Sequence, residues 1–138
     1  MTGPLWSAMN KQMRHAAHSI NPSNVSDAPG VYAWYKNGQP IYVGKGTSLR
    51  RRIIKEHCDT GCDLSRSAFR RNVGEHLGVA TMSIMKLRPP TLNATKVLPV
   101  TNWIKACEVA WIVCVDADGA AQLEADMKAE WMPPLTKR

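Results

Sequence analysis

Apolar and polar positions set two short strands side by side near the middle of this chain, with helix-spaced stretches around them. Residues 31–35 are rich in aromatic and β-branched side chains and read as a strand; residues 41–44 read as its partner. Between them stands Asn37-Gly38, the strongest short hairpin signal. Upstream, residues 5–19 carry Leu5, Met9, Met13 and Ala16 or Ala17 on one side and predict an amphipathic helix, broken by Asn21-Pro22-Ser23-Asn24. Downstream, Gly44-Lys45-Gly46 turns the chain, and Thr47 or Ser48 caps a helix over residues 49–57.

A second helix is expected after Asp63, reaching Leu77 with Phe69, Val73 and Leu77 inward and Arg66, Arg70 and Arg71 mostly outward. Residues 79–98 hold Pro89-Pro90 and read as irregular, apart from a short strand or helix near Met82–Met85, and Trp103 is placed in a short helix. The nearly continuous apolar run 109–115 predicts a central strand buried on both faces. Asp118 caps a last helix over residues 120–131, which ends before Pro133-Pro134. The expected fold is α/β (α+β): a small three-stranded antiparallel sheet flanked by helices. Residues 1–27 form an N-terminal helix and linker packed on a domain spanning 28–138.

Charge adds a partner class. The chain has 138 residues and a net charge of +7. Between Lys45 and Arg71 stand eight Lys or Arg against three acids, Glu56, Asp59 and Asp63. That density points to a polyanion. No apolar run approaches a membrane span. With no secretory h-region, the four cysteines read as free thiols of a cytoplasmic protein. His57-Cys58 and Cys62 lack a second pair at ligand spacing, so a zinc site is not expected. Lys45 between two glycines does not make a phosphate-binding P-loop, because the required Gly-x-x-x-x-Gly-Lys-[Ser/Thr] order is absent.

Four positions could carry phosphodiester chemistry, which needs proton transfer, a metal and a cation for developing charge. Tyr32 and Tyr42 are candidate proton-handling groups, with core packing as the alternative. Arg52 flanks the inward stripe of Leu49 and Ile53 and points along the sheet; pairing with Glu56 is its alternative. Glu124 lies within the apolar stripe Ala120, Leu123, Met127 and Trp131, while Asp126 and Lys128 project away. A carboxylate so placed must be paired or hold a hard cation such as Mg²⁺. Arg50, Arg51, Lys55, Arg66, Arg70 and Arg71 are candidates for nucleic-acid contact.

Gly30-Val31-Tyr32, Tyr42-Val43-Gly44-Lys45, Leu49-Arg50-Arg51-Arg52, and the distal Leu123-Glu124 with Pro133-Pro134-Leu135 together resemble the ordered motif set of the GIY-YIG nuclease superfamily, over roughly residues 28–136. The stretch Ser67-Ala68-Phe69-Arg70-Arg71, with Trp103 and Val109-Ala110-Trp111, looks like a bacterial or phage group of stand-alone members. The resemblance implies an endonuclease that hydrolyses DNA phosphodiester bonds with Mg²⁺ or Mn²⁺. It implies Tyr32 as general base or the tyrosine nearest the attacking water, with Tyr42 supporting it and orienting the phosphate. Arg52 would stabilise the transition state, Glu124 would ligate the metal, and Lys45 would be a second-tier catalytic residue. Valine replaces isoleucine in both triplets. Four residues after the family arginine, where many members place His or Tyr, stands Glu56, with His57 next to it. Thr136 follows Pro-Pro-Leu where many members have Asn. Two other readings stay open: a DNA-binding module of the same fold that does not cut, and a basic adaptor docking a protein partner. RNA stays open as a substrate. A homodimer is one route to double-strand cleavage.

Overall fold

The computed structural model describes residues 3–137. Its elements are α1 (Pro4–Asn10), β1 (His15–Ala16), β2 (Gly30–Lys36), β3 (Gln39–Gly46), a π-helix (Arg51–His57), α2 (Ala68–His76), α3 (Met82–Met85), α4 (Ala94–Lys105), β4 (Glu108–Val113) and α5 (Ala117–Glu130). The strands form one antiparallel sheet in the order β1-β4-β2-β3. It has four strands where the sequence predicts three. The additional one, β1, lies in the stretch read as helix. His15 pairs with Val109 and Ala16 with Glu108, and the His15 ring stacks on Trp111 at 4.6 Å. Met13, placed on the apolar stripe, is 75% exposed, so helix continuation finds no core there, whereas β4 offers an edge to pair with.

The β2–β3 hairpin turns through Asn37 (φ 52°) and Gly38 (φ 78°), the two positive values that a two-residue hairpin of matching twist requires. β2 is hydrogen-bonded on both sides, and its residues from Gly30 to Tyr35 are buried. Alternation sends Tyr32 and Trp34 into one core and Val31, Ala33 and Tyr35 into the other. The first core is closed by Ile53 of the π-helix, Phe69 and Val73 of α2, and Val97, Val100 and Ile104 of α4. The second is closed by Trp6 and Met9 of α1 and Ala120 and Met127 of α5.

Three further expectations change. The stretch read as irregular contributes the start of α4, a 12-residue helix that runs through Pro99. Asn93 caps it by accepting from the Lys96 N–H at 2.8 Å, and the buried stripe Val97, Val100, Thr101 and Ile104 outweighs the lost proline donor. β4 ends at Val113, which pairs with the first residue of β2. Beyond it no strand among the described residues continues the ladder, and Val113 and Val115 are 52% and 98% exposed rather than buried. α5 starts earlier than expected, because Asp116 rather than Asp118 accepts from the Gly119 N–H at 2.7 Å. α1 is held to α5 by the Glu130 carboxylate, which accepts from the N–H groups of Leu5 (3.1 Å) and Trp6 (2.8 Å). No helix among the described residues is long and apolar enough to cross a membrane.

Candidate active site

The helix after β3 begins with Ser48, whose Oγ accepts from the Arg51 N–H at 3.2 Å. It then widens to π geometry, with the Cys58 N–H donating to the Ile53 carbonyl at 3.0 Å. One additional residue per turn changes which side chains face inward. Glu56 stays beside Arg52, four residues away, and pairs with it. His57 is carried into the core and is fully buried. Its Nε2 lies 2.5 Å from the Tyr32 hydroxyl, and its Nδ1 lies 2.6 Å from Ser67 Oγ at the N-cap of α2. Burial holds the His57 pKa well below its ordinary value, helped by the charges of Arg52, Arg70 and Arg71. The imidazole is therefore neutral at pH 7. Sequence reasoning set Glu56 at the accessory position and left His57 outside the site.

Tyr32 faces Gly44 across the hairpin, and Trp34 faces Tyr42. The Tyr32 and Tyr42 rings stack at 6.4 Å between centroids, and Phe69 packs on Tyr42 at 4.9 Å. Tyr32 is fully buried, whereas Tyr42 keeps 7% exposure. Burial raises the Tyr32 pKa well above the usual phenol value, and the neighbouring Tyr42 adds to this while Arg52 opposes it. Burial pushes Tyr42 up to about 12; Arg52 and Arg71 pull it down, and Glu124 pushes it up. Both rings are phenols at neutral pH.

Arg52 is one-third exposed along its side chain and ion-pairs with Glu56 through Nη1, while Arg51 Nε approaches the same carboxylate at 3.8 Å. Burial opposes the Arg52 charge, but Tyr32 and Glu56 outweigh it and raise the pKa further. Arg52 Nε is buried without a partner. Glu124 on α5 is 13% exposed along its side chain, and its charge reaches both tyrosine hydroxyls. Lys128 does not project away: its Nζ lies 3.2 Å from Glu124 Oε1, because residues four apart share a helix face.

A groove of about 500 Å³ runs between Lys45, Arg51, Arg52 and Glu56 on one side and the first turns of α5 on the other. A second groove, about 690 Å³, carries Lys55, Arg66 and Arg88 and shares Arg51 and Glu56 with the first. The other basic candidates are committed elsewhere. Arg50 Nε donates to the carbonyls of Pro22 (3.0 Å) and Val25 (3.1 Å). Arg70, expected outward, is 1% exposed and donates to Gly61 O (2.9 Å) and Thr101 Oγ1 (3.3 Å). The arrival of α4 against α2 buries that flank. Arg71 is half-buried, donates to the carbonyls of Leu64 (3.2 Å) and Ser65, and directs its charge at Tyr42. At the C-terminus, Thr136 Oγ1 accepts from the Val43 N–H (2.9 Å) and the Leu135 N–H donates to Ile41 O (2.9 Å). Asn72 Nδ2 donates to Leu135 O at 2.8 Å. Thr136 thus closes the outer edge of β3.

No curated protein matches the chain. Among solved structures it is similar to the GIY-YIG N-terminal endonuclease domain of UvrC from Thermotoga maritima bound to magnesium, with 18% identity over 98% of each chain and a TM-score of 0.44. A point mutant of that domain, bound to its catalytic divalent cation, aligns over 100% of each chain with 17% identity and a TM-score of 0.43. The sequence profile of the GIY-YIG catalytic domain matches residues 9–138, and the chain belongs to that family.

Proposed function

We propose that this protein is a divalent-metal-dependent endonuclease that hydrolyses DNA phosphodiester bonds. The observation that carries the reading is the convergence of Tyr32, Tyr42, Arg52 and Glu124. The four come from a strand pair and two separate helices, yet their charges and hydroxyls act on one another. A core-packing role for the tyrosines would not call for a cation and a carboxylate at the same place.

The donor set fits a hard cation that keeps its own waters. Among the described residues no group of three or more His, Cys, Asp or Glu could cage a metal, so Glu124, whose Oε1 pairs with Lys128 and whose other oxygen is outside that pair, would hold the ion alone, with water and phosphate oxygens completing its shell. When bound, Mg²⁺ or Mn²⁺ supplies Lewis-acid stabilisation of phosphate oxygen and acidifies coordinated water.

The protein's own groups do the rest. Tyr42, at the solvent edge, and the buried Tyr32 act as one proton-handling pair. The tyrosine that takes a proton from the attacking water must first release its own, and Arg52 and Arg71 favour that ionisation at Tyr42. Arg52, one-third exposed on the groove wall, turns its guanidinium to a non-bridging phosphate oxygen as charge builds on it. Lys45 and Arg51 line the groove where the scissile strand lies. The water oxygen forms the new bond to phosphorus as its proton passes to the ionised tyrosine, one ester P–O bond breaks, and the leaving oxygen takes a proton from solvent, where the tyrosine's own proton had gone.

Supercoiled plasmid with Mg²⁺ tests the reading. Nicking or linearisation by the parent, lost in Arg52→Ala and Glu124→Ala, is expected. DNA binding without cleavage by the parent would replace the nuclease reading with that of a binding module. Equal cleavage by parent and Glu124→Ala would remove Glu124 from the site.

A further inference from the structure

Among the described residues Ser67 is the one hydrogen-bond partner of His57 Nδ1. It is 1% exposed, and its Oγ has two partners: the Arg70 N–H, which donates to it at 3.1 Å, and His57 Nδ1 at 2.6 Å. The other side of the imidazole faces the Tyr32 hydroxyl at 2.5 Å. A neutral imidazole carries its one proton on either nitrogen, and the choice decides what His57 can do for Tyr32.

Suppose the proton sat on Nδ1. It would be donated to Ser67 Oγ, which already accepts from Arg70. The serine hydroxyl proton would then have no acceptor among the described residues, in a buried site where an unmade hydrogen bond is costly. Suppose instead that it sits on Nε2. Ser67 then donates to Nδ1, accepts from Arg70, and is satisfied. His57 donates Nε2–H to the Tyr32 oxygen, as Arg52 also does, and the Tyr32 proton goes to Tyr42, to whose hydroxyl it is hydrogen-bonded. Every donor in the row Ser67, His57, Tyr32 then points toward Tyr42, the member with solvent access.

We propose that Ser67 is a positioning residue of the active site: its hydroxyl fixes His57 as the Nε2–H tautomer, so that His57 donates to Tyr32 instead of removing its proton. The consequence for catalysis rests on the nuclease reading above; the tautomer itself does not. In the second arrangement negative charge at the tyrosine pair is met by a row of oriented donors, an electrostatic support already in place before reaction.

The test is nitrogen NMR of the full chain labelled with ¹⁵N-histidine, the His57 signals being identified by their loss in His57→Gln. A proton on Nε2 and a bare Nδ1 are expected in the parent. Ser67→Ala should shift His57 toward the other tautomer or a mixture, and Ser67→Thr should restore the parent signature. If the parent cleaves DNA, kcat should fall on the order of tenfold in Ser67→Ala, with KM little changed, and return in Ser67→Thr. A proton on Nδ1 in the parent overturns the proposal, as does a Ser67→Ala protein with the parent signature. Should Ser67→Ala fail to fold, the parent signature and Ser67→Thr still decide it. A parent that shows the Nε2–H signature but cuts nothing would sink the nuclease reading and leave the tautomer assignment standing.

Discussion

The Glu56 carboxylate clamps the Arg52 guanidinium on the wall of the groove, and it is the same carboxylate that Arg51 approaches. Two cations suited to phosphate are thus partly spent on an internal acid that itself lines both grooves. The pair is partly open to solvent, so its intrinsic worth is small, about 0.2–1 kcal/mol. Glu56→Gln removes a negative charge from the phosphate path and frees Arg52 at little cost to the fold. DNA binding should tighten by about twofold to fivefold at low salt, measured by fluorescence anisotropy at several salt concentrations. Unchanged or weaker binding would mean that Glu56 orients Arg52 for the phosphate instead of competing with it.

Gly44 is the residue against which Tyr32 closes. The two are register partners, and a Cβ at residue 44 would run into the Tyr32 hydroxyl and ring. The Tyr32 hydroxyl is also bound to His57, so the ring cannot yield without breaking that contact. Gly44→Ala should therefore cost about 1–3 kcal/mol of stability through overpacking and abolish cleavage in the fraction that folds. Denaturant unfolding and plasmid nicking together check this. A stable and active Gly44→Ala would show that the tyrosine has room the structure does not give it.

The hairpin was legible because it rests on a local rule: Asn37-Gly38 sets the turn. The shared face of the two tyrosines needs more, since counting back from that turn would pair Tyr32 with Val43 and send Tyr42 to the other face. The register shift between Trp34 and Tyr35 passes over Ile41, sets Trp34 opposite Tyr42, and brings the two rings to one side. Glu124 was legible as a carboxylate on an apolar stripe. His57 was not, because its inward position depends on a π-turn, and nothing in Arg51–His57 distinguishes π from α spacing. Arg70 was misplaced for a similar reason. Its burial comes from Thr101 on α4, a helix some thirty residues later that the prolines concealed. Local pattern set the β2–β3 turn; the edge strand β1, paired to a strand some ninety residues on, and the packing of distant helices set the rest.

A neutral, buried His57 makes the fold sensitive to acid. Its pKa in the folded chain is depressed below the free value of about 6.5. The groups that face it are Tyr32 from β2, Arg52 on its own helix, and Arg70 and Arg71 from α2; the cations all oppose protonation. Above about pH 6.5 the imidazole is neutral in both states and makes no pH-dependent contribution. As pH falls below that value, the unfolded chain binds a proton that the folded chain refuses, and stability drops by up to about 1.4 kcal/mol per pH unit. His57→Gln does not titrate. The parent should therefore lose more stability than His57→Gln between pH 7.5 and pH 5, compared by urea unfolding at each pH. Equal losses would mean that His57 does not carry the acid sensitivity.

The two grooves meet at Arg51 and Glu56, and on the nuclease reading proposed above a strand of nucleic acid would run from Lys45 past Lys55, Arg66 and Arg88, with Asp59 and Asp63 also lining the second groove. Arg50 and Arg70 are not on that course, since carbonyl oxygens within the fold hold them. This separates the basic residues by what their loss should do. Each phosphate contact contributes about 0.9 to the slope of log K against log salt for duplex DNA. Lys55→Ala with Arg66→Ala should flatten that slope by up to about 2 and weaken binding tenfold or so at low salt, with the thermal midpoint unchanged. Arg70→Ala should do the reverse: it empties the space of a 1%-exposed side chain, takes the donor away from the buried Thr101 hydroxyl and costs about 1–3 kcal/mol of stability, while the folded protein keeps the parent salt slope. A parent-like slope in the Lys55/Arg66 double variant would move the nucleic acid off the second groove and confine it to the wall formed by Lys45, Arg51 and Arg52.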